Sequence, residues 1–117
     1  MNKKILYSPG YGAGWSTWLG GSEEFTKWAL TYQPLIDVIE ANPGINLTNN
    51  ASYDEPERFH PVLQQFLKDA KEKFNEEPYV GGADQLCVYT VTGPFRIDNY
   101  DGSESVTEAH EQAWIEL

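Results

Sequence analysis

The sequence has one cysteine, two histidines and eight basic residues in 117 positions. A single thiol excludes an internal disulfide, so stability must come from packing. A chain of this length removes roughly two thirds of its unfolded surface from water, which is enough for a real core. A lone cysteine also fits a reducing compartment. Cys87, inside the alternating run LCVYTV, reads as a small buried side chain. Long apolar runs are missing too. The opening MNKKILYSPG places two lysines before a three-residue apolar stretch, too little for a secretory signal. No window approaches the ~20 apolar residues of a membrane span. The expectation is one soluble, cytoplasmic domain over 1–117.

The scarcity of basic residues has a direction. The net charge is −10, and residues 84–117 hold Arg96 alone against seven acids. Repulsion from phosphate argues against direct binding of DNA or RNA. The acidity reads either as a solubility device or as a face that docks on a basic protein, in the manner of an inhibitor of a nucleic-acid enzyme. Catalytic and metal motifs are also missing. His60, His110 and Cys87 show no ligand spacing. No Gly-x-Ser-x-Gly elbow and no Gly-Lys-Ser/Thr tripeptide occurs. The chain is therefore read as non-enzymatic, without metal or cofactor.

What the chain has in excess is glycine and aromatic residues near its start. Residues 7–21, YSPGYGAGWSTWLGG, contain five glycines, two tyrosines and two tryptophans. A strand at Lys4–Ser8 stops at Pro9, and the loop beyond has little side-chain cover. Gly10, Gly12 and Gly14 alternate, but Trp15 falls where the dinucleotide fingerprint needs a third glycine. Such a loop either points its backbone N–H groups at an anion or turns tightly to pack its aromatics. On the first reading the binding residues are Ser8, Gly10, Tyr11, Gly12, Gly14, Trp15, Ser16 and Trp18, joined by Arg96 and Tyr100. Arg96 supplies a planar cationic fork, and the rings supply stacking area. The structural alternative for Arg96 is a salt bridge to Asp98 or Asp101.

Elsewhere the periodicities are plain. Ser22 before Glu23-Glu24 is a helix cap. Phe25, Trp28, Ala29, Tyr32, Leu35, Ile36 and Ile39 recur at helical spacing, with Trp28 assigned to the core, broken at Pro34 into helices near 22–32 and 34–41. Residues 43–55 are polar turn formers and predict a surface loop. Phe59, Leu63, Phe66, Ala70 and Phe74 mark a third helix. Asp54 and Glu57 fit a capping box, whereas Pro61 favours a start near His60–Pro61. The last third alternates, turns at Thr92-Gly93-Pro94 and again at Asp101-Gly102, and ends in HEQAWIEL, expected to dock in order. The fold class is α+β, with a small, mainly antiparallel sheet made of the N-terminal strand and a C-terminal β-meander, packed by two to three helices.

YSPGYGAGWSTW (7–18) and GGADQLCVYTVTGPFRIDNYDGSE (81–104), with the Pro61 helix between them, resemble a recurring small acidic protein of tailed bacteriophages. That family is uncharacterised, so the resemblance implies a phage origin and a host-cell cytoplasmic setting but transfers no site residues. Small accessory phage proteins often act against host defences, by binding a defence protein or by sequestering a nucleotide signal. The expected partner is accordingly a small nucleotide-like ligand or a basic host protein, with no membrane partner. A homo-oligomer would favour the first, because symmetric interfaces create shared pockets.

Overall fold

The computed structural model describes residues 2–10, 14–52 and 54–109. The expected docking of HEQAWIEL lies outside the described residues. The architecture is α+β. Strand β1 (Lys3–Tyr7) leads through the glycine-rich segment to helices α1 (Glu23–Leu30) and α2 (Gln33–Ala41). A connection containing a short 3-10 turn, Pro56–Arg58, leads to α3 (Pro61–Phe74). A second 3-10 turn, Gly81–Asp84, precedes strands β2 (Cys87–Val91), β3 (Phe95–Tyr100) and β4 (Ser103–Glu108).

The helix ends follow local chemistry. Ser22 Oγ accepts from Phe25 N at 3.1 Å, with Glu23 and Glu24 in the positive first turn. Pro34 sits in the first turn of α2, where its missing N–H costs nothing. α3 uses neither Asp54 nor Glu57 as its cap. The His60 ring Nδ1 accepts from Val62 N at 3.1 Å, directly before Pro61. The same helix ends on Asn75 in the left-handed region, φ 56°.

Each helix buries most of the predicted stripe, while Trp28 and Phe74 stay half-buried. Phe25, Ala29, Leu35, Ile36, Leu63, Phe66 and Ala70 are closed to solvent, and with Leu6, Trp15 and Leu86 they belong to one continuous core. Trp28 stacks on Phe66 with ring centroids 5.3 Å apart and remains half-buried at the core edge. The 43–55 segment departs from its reading as a surface loop. Its one leucine, Leu47, is fully buried, held by Leu47 N to Ala83 O at 3.3 Å and His60 N to Leu47 O at 2.8 Å. Ile45 and Ala51 pack against the same core, and the Leu47 backbone ties the segment to the 81–84 turn and to the start of α3.

The strands form two antiparallel pairs and not one continuous meander. β1 pairs with β2, Lys3 opposite Val91 and Tyr7 opposite Cys87. β3 pairs with β4 around the Asp101-Gly102 turn, both residues at positive φ as a two-residue hairpin requires. None of the core-cluster side chains comes from β3 or β4. The hairpin is attached instead by polar ties, and these define the site.

Candidate functional site: a buried carboxylate and two clefts

Beyond β1 the chain turns, with Trp18 N and Leu19 N both donating to Trp15 O at 3.0 and 3.1 Å. Two N–H groups, that of Ser8 just past β1 and that of Thr17 inside the turn, converge on an anion. The anion belongs to the protein. Glu104 on β4 is 2% exposed. Its Oε1 accepts from Ser8 N at 2.8 Å, and its Oε2 accepts from Thr17 N at 3.1 Å and Thr17 Oγ1 at 2.6 Å. Glu104 N also donates to Ser8 O at 2.8 Å. Burying a carboxylate is costly unless its lone pairs are filled. Here charge-assisted bonds fill them, and no cation pairs with it among the described residues. Further bonds brace the clamp: Asn99 Nδ2 to Thr17 Oγ1 at 2.7 Å and Ser103 Oγ to Pro9 O at 2.7 Å.

Glu108 repeats the arrangement two positions further along the same strand face, beyond Val106. It is 5% exposed and accepts from Thr92 N at 2.6 Å and Thr92 Oγ1 at 3.1 Å. Two glutamates on one face of β4 therefore hold the outer hairpin to the glycine segment and to the β2–β3 turn.

This geometry redistributes the predicted site residues. Ser8 is fully buried and committed to Glu104. Gly10 is half-buried against the Gln85 carboxamide, which occupies the place a Cβ would take. A Cβ at Gly14 would fall 2.7 Å from Thr17 Oγ1 and 2.8 Å from Glu104 Oε2, so glycine here admits the internal carboxylate. Trp15 offers no stacking surface. It is fully buried, its ring 4.9 Å from Phe66, and Nε1 donates to Ala29 O at 3.2 Å. Trp18 is exposed beside Tyr79, and Tyr100 is 75% exposed at the end of the hairpin. Neither ring lines either of the two clefts described below. Tyr11 and Gly12 lie outside the described residues.

Ser16 and Arg96 are brought together. Both line a cleft of about 690 Å³ between α1, β1 and β3. Its floor includes Ile5, Leu30 and Ile97, and Trp28 and Phe95 supply ring surface. Three cations surround it: Lys3, Lys27 and Arg96. Arg96 Nε pairs with Asp98 at 3.1 Å and Lys27 with Glu23 at 3.4 Å. All four of these side chains are substantially exposed, so the pairs are weak and readily exchanged. Asp98 also accepts from Thr107 Oγ1 at 2.9 Å, whereas Asp101 makes no ion pair among the described residues.

Sequence reasoning missed Lys3, Lys27 and Glu104. Lys3 and Lys27 carry no motif, since only the packing of α1 beside β1 makes them neighbours of one cleft. Cys87 is partly exposed, its Sγ 3.6 Å from Gln85 O, and burial pushes its thiol above the ordinary value. No described helix is long and apolar enough to cross a membrane. Compared with protein-family models, with curated proteins and with solved structures, the chain matches none.

Proposed function

We propose that the protein is a non-enzymatic binder of a nucleotide-like anion, held in the cleft between α1, β1 and β3 and not in the glycine segment. One observation carries this reading. In a chain of net charge −10, three of the eight basic residues surround one cleft that contains a single acid, Glu23. Lys3, Lys27 and Arg96 meet phosphate oxygens, Ser16 stands by as a hydroxyl donor, and Trp28 and Phe95 meet a planar base. On the resemblance to small acidic phage proteins, such a binder acts in the host cytoplasm by sequestering a nucleotide signal used in defence. The acidic-face alternative finds less support, because Glu104 and Glu108 are turned inward and Asp98 is tied to Arg96 and Thr107.

The test is mass spectrometry of small molecules released when the protein, purified after incubation with cell extract, is denatured. The expected result is a stoichiometric phosphate-containing compound that Arg96→Ala and Lys27→Glu each release without altering the thermal melt. Empty protein, or a compound retained by both variants, overturns the reading.

A further inference from the structure

A larger cleft, of about 970 Å³, opens on a different part of the molecule. It is walled by the C-terminal half of α3, the 77–84 segment and the 48–56 loop, and shares no residue with the cationic cleft. We propose that it is a second binding site, for a small aromatic molecule that carries one acidic group.

The floor is apolar: Phe59 and Val80 are buried, and Leu67, Pro56 and Pro78 complete it. Tyr79 stands at the rim with 47% of its surface exposed, in a molecule whose exposed large apolar side chains are Trp18, Tyr79 and Tyr100 among the described residues. The Tyr79 ring is placed and not loose. It lies over Gly81, where a Cβ would intrude on it, and sits 6.4 Å from the Trp18 ring. A pre-positioned ring beside an apolar floor favours a flat ligand, because little is lost in ordering the site.

Charge then selects the ligand's polar end. Lys68 and Lys71 project from one stripe of α3, and Glu77 and Asp84 lie on the opposing segment. Lys71 spends its charge on Glu77 at 3.3 Å. Lys68 has no acidic partner among the described residues. Asp84 is exposed at the end of the 3-10 turn and makes no ion pair among the described residues. Of the two ammonium groups, one is thus left for a ligand to pair with. One acid group matches it, whereas a polyphosphate would face the two carboxylates as well. The volume lies within the ~300–1,000 Å³ span of ordinary small-molecule sites.

The experiment titrates the isotope-labelled full chain with naphthalene carboxylate and, separately, with naphthalene methanol, which has the same rings and no charge. Amide shifts are expected at 67–71 and 79–84. Lys68→Glu is expected to weaken the carboxylate about tenfold, or ~1.4 kcal/mol, and the alcohol less than about twofold. Tyr79→Ala weakens both. Lys68 and Tyr79 are exposed, so both variants retain the fold, and an unchanged melt verifies it. Shifts at 3–5 and 95–97 instead, equal effects of Lys68→Glu on the two probes, or no saturable shift would each overturn the proposal. None of these results depends on what the cationic cleft binds.

Discussion

Glu104 shows how differently a residue reads in a string and in a fold. In SESVTE it is one of many acids and looks like a solvated side chain at a hairpin edge. In the structure it is the counterpart that the glycine segment was built to receive, with three donors on one carboxylate. The glycine pattern read equally as an anion cradle or as a tight packing turn, and nothing in the sequence identified a carboxylate 96 positions beyond Ser8. Trp15 misleads in the opposite sense. A tryptophan among glycines resembles a stacking platform, yet it fills the core under the loop. Glu104→Gln keeps the shape and removes the charge from these bonds, and it is expected to cost about 1.5–3 kcal/mol in urea unfolding. Amide exchange should accelerate first at Ser8 and Thr17. A loss spread evenly over the chain would mean that the clamp is not the local anchor.

At the level of elements, helices were far more legible than strand partners. The apolar stripes of α1, α2 and α3 are local patterns, and Ser22 and Pro34 mark their boundaries within a residue or two. His60 is an unconventional cap, so Asp54 and Glu57 drew attention by their type while the ring nitrogen made the bond. His60→Ala is expected to lower stability by about 1 kcal/mol, with His60→Asn recovering most of it, as read by thermal melts of the three proteins. The sheet was harder. Period-two alternation locates β2, β3 and β4 but does not say that β2 turns to the distant β1 while β3 and β4 pair alone. Neither cleft was legible, because each draws its walls from segments that only tertiary packing brings together.

Across the whole molecule, the helical layer and the β1–β2 pair share one apolar core, and the β3–β4 hairpin is joined to them by polar bonds. One polar bond also crosses within the helical layer. Tyr32 OH donates to Asp69 Oδ2 at 2.5 Å, linking the entry to α2 with α3. Burial first, and this bond second, raise the Tyr32 phenol above its usual value of 10.0. The unfolded chain therefore gives up this proton at lower pH than the folded one. The associated stability is fully present below pH 10.0 and declines as pH climbs toward the folded value. Alkaline unfolding above that pH should be shallower in Tyr32→Phe than in the parent protein. Equal slopes would assign the decline to other groups.

The pairing of Lys3 with Val91 also has a consequence in time. During synthesis β1 emerges early and β2 only after the helices between them. At ~5–20 residues per second, the first strand waits on the order of ten seconds with its backbone edge open. Through that interval KKILY is an unpaired strand followed by a loop whose anchoring carboxylate has not yet been made. The nascent chain is most exposed to chaperones, proteases and strand-to-strand aggregation at this waiting strand, and the last ties to form are those of Glu104 and Glu108.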